Sequence, residues 1–249
     1  GQSTSISGIG ASSYLWLPGN VSGSPVIVSP IVSTIYTVTG TASNGCTATA
    51  TRLINVSPCN TTLQIKCFIA AYYQGSSLMR NVLQNQNVFG ATSSTTDSII
   101  VEIRNPNPPY SIVSTQKRVM QTNGLSTGTF NFSGNYYLVI KHRNAVQTWS
   151  SLPITLNGGT ITYDFTNQQS KAFGNNQLSL GGGLYGFYSG DVNQEENINL
   201  DDLALLQLDV NNFASGYFAT DINGDGNVDL DDILYVEANN NNFIFSNHP

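Results

Sequence analysis

Charge is scarce in this 249-residue chain: Asp, Glu, Lys and Arg together make up 10% of it. No Lys or Arg occurs after Lys171, so the C-terminal part has nothing with which to bind a phosphate backbone, and nucleic acid is excluded as its partner. No run is long and apolar enough to cross a bilayer, so no membrane insertion is expected. No basic-then-apolar leader opens the chain, and the first residues, GQSTSISG, read as the middle of a mature protein. Cysteine is limited to Cys46, Cys59 and Cys67, none at CxxC spacing, and histidine to His142 and His248, so a Cys/His zinc set is not available. In a secreted chain an odd count leaves one thiol over or bonded outside this segment.

Catalytic motifs are missing too. There is no G-x-S-x-G elbow, no H-E-x-x-H and no phosphate loop. His142, between Lys141 and Arg143, and His248, next to the last residue, both read as surface residues. Asp97, Glu102 and Asp164 are scattered, so no pair of carboxylates for glycoside hydrolysis is evident. The expectation is a protein that is not an enzyme.

What the chain has is Thr, Ser, Asn, Gly and Tyr, with short runs of strand formers between turn residues, the composition of an all-β secreted protein. Residues 1–57 contain "SYLWL", "PVIVS", "TIYTVTG" and "CTATATRLINV". In the last of these Cys46, Ala48, Ala50, Ile54 and Val56 share one face, Arg52 being the exception, as in a half-buried strand. Residues 58–184 contain "TLQIKCFIAAYY", "DSIIVEIRN", "TGTFNF", "NYYLVIKH" and "GTITYDF". Here Ile99, Val101 and Ile103 point one way while Ser98, Ile100, Glu102 and Arg104 point the other, and "SLMRNVLQ" alone has room for a helical turn or two. Each segment is expected to form a β-sandwich.

Residues 185–249 differ. The stretch 186–213 repeats without gaps as 216–243, with ten of the 28 positions identical. Twelve of the fifteen acids lie at or after Asp191, so the last 59 residues carry −12, while nine cations against three acids leave the first 190 at +6. In "DINGDGNVDLDD", residues 221–232, Asp221, Asn223, Asp225, Asp229 and Asp232 stand at positions 1, 3, 5, 9 and 12, with Gly226 at 6 and the Asn227 carbonyl at 7. That is the ligand spacing of an EF-hand calcium loop: a hard cation wants six to eight oxygens, and a tight loop brings alternate side chains to one point. The upstream copy supplies Asp191, Asn193, Glu195, the Asn197 carbonyl, Asn199 and Asp202. It has three carboxylates against four, and Glu196 where Gly is wanted, so weaker binding is expected there. Two Ca²⁺ ions are the expected cofactors, and their binding becomes folding free energy for a segment that otherwise repels itself. A helix follows each loop, carrying Leu203, Leu206 and Val210 in the first copy, Ile233 and Val236 in the second.

Asp at position 12 and one helix per loop resemble the dockerin domain, whose duplicated loop–helix units pack as a pseudo-twofold pair. At positions 10 and 11, where cellulosomal dockerins often carry Ser/Thr for cohesin recognition, this chain has Leu200–Asp201 and Leu230–Asp231. The stretch "VIVSPIVSTIYTVTGTASNGCTATAT" is similar to the Ig-like repeats of large surface and secreted proteins of gliding-type bacteria, and "YYLVIKHRNAVQTWSS" to the β-sandwich that precedes dockerin-like ends in them. In such repeats Cys46 pairs outside this segment, which leaves Cys59 and Cys67 to pair locally. The resemblance implies two Ig-like β-sandwich domains followed by a small α-helical dockerin-like domain, in a protein displayed at the bacterial cell surface or secreted by type IX export. The expected role is a calcium-stabilised structural or adhesive part of a stalk or fibre, its partners other subunits or neighbouring domains of the same chain. Two alternatives stand beside it: a dockerin-type targeting module for a cohesin-like scaffold, and a carbohydrate-binding appendage of a secreted enzyme, with Trp149, flanked by Thr148 and Ser150, as the sugar-stacking residue.

Overall fold

Alternating segments between Gly, Asn and Ser turns pair as strands along most of the chain, as period-two patterns require. The structure, a computed structural model, describes residues 3–57 and 60–249. Two units are distinguished, Gly1–Pro58 and Cys59–Pro249.

The first unit contains β1 (Thr4–Ile6), β2 (Ser13–Leu17), β3 (Val21–Ser22), β4 (Val26–Val28), β5 (Thr34–Thr41) and β6 (Thr47–Ile54). One sheet has the order β3-β2-β5-β6, and β1 pairs with β4 in another. Ile6, Trp16, Val26, Val28 and Tyr36 form the core. The Trp16 indole N–H donates to the Gly23 carbonyl at 2.9 Å, satisfying the one polar atom of an otherwise buried ring. The half-buried strand expected over 46–56 is corrected in one respect: β6 pairs along its whole length with β5, yet every residue from Thr47 to Leu53 is exposed. It is the outer strand of its sheet, and β1 and β4, at three residues each, are too short to cover it.

The second unit begins with β7 (Thr61–Lys66), β8 (Tyr73–Gly75), β9 (Leu78–Met79), α1 (Val82–Asn85), β10 (Thr95–Arg104) and β11 (Ile112–Gln121). It continues with β12 (Leu125–Phe130), β13 (Gly134–His142), β14 (Ala145–Trp149), β15 (Ile154–Leu156), β16 (Gly159–Asp164), β17 (Leu178–Gly181) and β18 (Leu184–Gly186). One sheet runs β11-β10-β13-β14, with β15 also paired to β13; the other runs β12-β7-β16, its last pair parallel. Both contribute to one core: Ile99, Val101 and Ile103 of β10 and Leu138 and Ile140 of β13 pack with Leu63 and Ile65 of β7 and Phe130 of β12. The inward row of β10 is the one its alternation predicts. Strand β11 is not anticipated by its sequence, since as an exposed edge strand it carries Thr, Gln, Lys and Arg where a core strand would carry Val and Ile.

The chain ends in α2 (Leu200–Asn211) and α3 (Leu230–Asn241). Asn199 and Asp229 cap them, with Asp202 and Asp232 completing reciprocal capping boxes. Leu206 and Val236 are fully buried, and with Ile198, Ile222 and Val228 they share a core with Ala71 and Val146 of the strand-rich part. Residues 185–249, read from sequence as a domain of their own, therefore pack within the second unit on the strands that precede them. Among the described residues no helix is long and apolar enough to cross a membrane.

Candidate metal centre

The two acidic repeats form two loops that clasp each other. Ile198 N–H of loop 1 donates to the Ile244 carbonyl behind α3, and Val228 N–H of loop 2 donates to the Ala214 carbonyl behind α2, each at 2.9 Å. Asn197 bridges to Phe245 and Asn227 to Ser215 in the same reciprocal manner. All four contacts repeat at an offset of 30 residues, so the sequence repeat is a pseudo-twofold in space.

Within loop 2, the Asp225 N–H is shared by Asp221 Oδ1 at 3.1 Å and Asn223 Oδ1 at 2.8 Å, which brings positions 1, 3 and 5 around one point. Asp221 Oδ2 accepts from Gly226 N–H at 3.2 Å. Asp232 closes the ring: Oδ1 accepts from Asn223 N–H at 2.9 Å and Oδ2 from Asp229 N–H at 3.0 Å. A single short carboxylate thereby joins the start of the loop to the cap of its helix, a span suited to Asp at position 12. Loop 1 repeats the scheme. Asp202 Oδ1 accepts from Val192 and Asn193 at 2.8 and 3.2 Å and Oδ2 from Asn199 at 3.0 Å, while Asp191 Oδ2 accepts from Glu196 at 3.2 Å.

The loops differ where the sequence said they would. Gly226 takes φ 96°, and its counterpart Glu196 is forced to φ 76°, a conformation that disfavours any side chain by about 1–2 kcal/mol. Asn223 is buried but Asn193 is exposed, and Asn199 turns its amide N–H₂ toward Glu195 Oε1 while its own oxygen caps α2.

Four carboxylates, Asp191, Asp202, Asp221 and Asp232, are at most 1% exposed. Among the described residues none of them forms an ion pair; the single contact of this kind in the two loops is His248 Nε2 to Glu196 Oε2 at 3.9 Å. Burial, and then Asp202, push Asp191 up to about 7; burial pushes Asp232 up to about 6 and raises Asp202 and Asp221. Asp191 Oδ1 is buried with no hydrogen-bond partner among the described residues. Buried charge without compensation is among the most expensive arrangements in a fold. Oxygen-only donor sets with an orphaned carboxylate oxygen fit a hard divalent cation. Among the described residues no three His, Cys, Asp or Glu side chains group closely enough to hold a metal by themselves, so Asn oxygens and main-chain carbonyls are needed to complete either set.

The strand-rich part supplies a seat that sequence reasoning missed. Asp97, at 0% exposed, takes Tyr72 Oη at 3.0 Å, His142 Nε2 at 3.2 Å and Arg143 Nε at 3.0 Å, together with the Tyr217 hydroxyl from the segment just before loop 2. Burial alone would raise its pKa, but His142, Arg143 and Tyr217 outweigh that and hold it below the usual carboxylate range. The Arg143 guanidinium lies over the Tyr217 ring at 4.4 Å. His142 is thus corrected from a surface residue to a buried one, 3% exposed; His248 is exposed as expected. Beside this network Asn144 Nδ2 donates to the Asp221 carbonyl at 3.0 Å, and Gln86 Nε2 to Asp221 Oδ2 at 2.7 Å. Gly224, at φ 72°, brings its backbone so close that a Cβ there would stand 2.5 Å from Val82 Cγ2.

Trp149 is 3% exposed and cannot offer a face to a sugar. Arg104 covers its ring at 4.9 Å, and Tyr110, Tyr137 and His248 pack around it, so the stacking reading is corrected: its strand face is occupied by the protein itself. Of the disulfide candidates, Cys59 lies outside the described residues. Cys67 is buried with its Sγ 3.5 Å from Met120 Sδ, and burial, then Asp164, push its thiol up to about 12.

No protein-family model and no curated protein matches this chain. Among solved structures, chains from crystal structures of two interface mutants of a type II cohesin–X–dockerin complex from Acetivibrio cellulolyticus are similar to it. Each alignment covers 72% of this chain and 94% of the other, with identities of 16% and 15% and a TM-score of 0.42 in both. At that score the likeness does not establish a shared fold.

Proposed function

We propose that this chain is a non-catalytic extracellular module whose C-terminal repeat is a calcium-clamped, dockerin-like pair of loop–helix units, and that it serves as a structural or adhesive part of a surface fibre or stalk. The observation that carries the calcium reading is the burial of four carboxylates in two reciprocally paired loops with no cation among the described residues bonded to any of them. Calcium would supply the missing positive charge at both loops. Asp221, Asn223, Asp225, the Asn227 carbonyl, Asp229 and Asp232 would hold one ion; Asp191, Asn193, Glu195, the Asn197 carbonyl, Asn199 and Asp202 would hold the other. The loop amides orient the carboxylates, and Asp202 and Asp232 transmit that order to α2 and α3 through the capping boxes. The surface location and type IX export rest on the resemblance of the N-terminal and middle segments.

Calcium titration calorimetry tests the first half: two sites in the native chain, one of them lost in Asp221→Ala and the other in Asp191→Ala. No heat, together with a melting curve indifferent to EDTA, overturns it. Negative-stain microscopy with and without chelator tests the second half, and monodisperse single particles at high concentration in both conditions would count against a fibre.

A dockerin-type targeting role is favoured by one observation. Leu200 and Leu208 on α2 and Leu230 and Leu234 on α3 are 58–70% exposed, so each helix turns a pair of leucines outward while burying Leu206 or Val236. A pull-down with cohesin-like domains separates this reading from the first.

A further inference from the structure

We infer that Gln86, which lies in the strand-rich part 135 residues before the loop it touches, is a positioning residue for the first ligand of loop 2. Loop 2 is then completed by a distant part of the chain, while loop 1 holds its first ligand with its own residues. The inference rests on the calcium reading of loop 2 and adds to it a control point outside the acidic repeat.

Gln86 follows directly on α1, whose Val82 and Leu83 are buried, so its side chain starts from a braced backbone. Its Oε1 is buried without a partner, and its Nε2 makes one strong contact, with Asp221 Oδ2 at 2.7 Å. A carboxylate accepts only from a donor, so the amide has one possible orientation there. Oδ2 also takes the Gly226 N–H, and Asn144 fixes the main chain of the same residue. Asp221 is thereby held at both ends, with Oδ1 turned toward Asn223 and Asp225. Gly224 presses against Val82 and Tyr72, so the seat under the loop and the residue that reaches into it belong to one packed surface.

Among the described residues no side chain from outside loop 1 bonds to Asp191. Asp191 is oriented by loop amides, and its carbonyl takes Gln194 from the same loop at 2.6 Å. The strand residue nearest in role, Gln147, reaches Glu196 Oε1 at 3.1 Å, and Glu196 is outside the ligand set. Partners of this kind around a metal ligand set its orientation, and their loss typically weakens metal binding about 10- to 100-fold.

The test is calcium titration of the full chain by calorimetry, comparing the native protein with Gln86→Ala and Gln86→Met, the second keeping the volume but not the donor. Gln86 is half-buried and outside the cores, so both variants retain the fold, checked by their melting in EDTA. Amide NMR reads the loops separately, through Gly226 N–H in loop 2 and Glu196 N–H in loop 1. Both variants should bind at loop 2 about tenfold more weakly, the Gly226 resonance titrating at correspondingly higher calcium, with loop 1 unchanged. Native affinity at loop 2 in both variants, or an equal loss at both loops, overturns the inference while leaving the calcium reading intact. If the native protein takes up no calcium, both fall.

Discussion

Asp191→Asn should make the metal-free protein more stable and at the same time reduce what calcium adds to it. The side chain is 1% exposed, its Oδ1 has no partner, and its pKa is pushed from 3.8 to about 7. At roughly 1.4 kcal/mol per tenfold, keeping this carboxylate ionised at pH 7.5 disfavours the metal-free fold by about 4 kcal/mol, and relaxation around the site reduces that to about 2–4. Asparagine keeps an oxygen for the Glu196 N–H and places a neutral amide where the orphaned oxygen stood. For a unit of this size each kcal/mol moves the melting temperature by about 2–4 °C, so a rise of about 4–16 °C in EDTA is expected. With calcium at a hundred times its dissociation constant, a site contributes about 2.7 kcal/mol, and much of that gain should vanish in the variant. The sign with pH follows from the raised pKa. The folded state holds its proton where the unfolded state has already lost it, so the contribution of Asp191 to metal-free stability is fully present below 3.8 and is lost as pH rises toward 7. In EDTA the variant's advantage over the native protein should therefore shrink by more than half between pH 7.5 and pH 5. Thermal melts followed by circular dichroism, at pH 5 and 7.5, in EDTA and in calcium, decide it. A lower metal-free melting temperature in the variant, or an undiminished calcium-dependent gain, would refute the reasoning.

Three further changes probe the seat and the core. Gly224→Ala places a methyl 2.5 Å from Val82 Cγ2 in a backbone at φ 72°, and should destabilise by about 2–4 kcal/mol in urea titrations, from overpacking and strain together. Arg143→Met removes one partner of a fully buried Asp97, for which about 3–5 kcal/mol is expected, and the loss of order at Tyr217 should show in its fluorescence or NMR signals. Leu206→Ala opens a cavity in the core that both loops share and should cost about 2–5 kcal/mol by chemical denaturation, weakening calcium binding at both loops rather than one.

Much of the candidate site was legible because its information is local. Ligand spacing, the glycine at position 6, the caps of α2 and α3 and their buried leucine and valine positions lie within a few residues of one another, and each is set by loop or helix geometry. The inward row of β10 was legible for the same reason. What escaped was set by neighbours far along the chain. His142 read as a surface residue because Lys141 and Arg143 flank it, yet strand pairing turns its ring onto Asp97, 45 positions away. Trp149 read as a polar-flanked platform, yet Arg104, Tyr110 and Tyr137 close over it. The half-buried pattern of β6 is real as a pattern, but burial depends on a second layer, and the two short strands opposite do not supply one.

By itself the amino-acid sequence determined that two acidic loops exist, that each is followed by a helix, and that the second is the better formed, since oxygen spacing and the φ preference of glycine are properties of adjacent residues. Only the tertiary structure decided that the loops clasp one another, that they rest on the strands of the same unit, and that Gln86 and Asn144 hold the first residue of loop 2. Those contacts join positions 77 and 135 residues apart, a separation that only packing against a shared core can close.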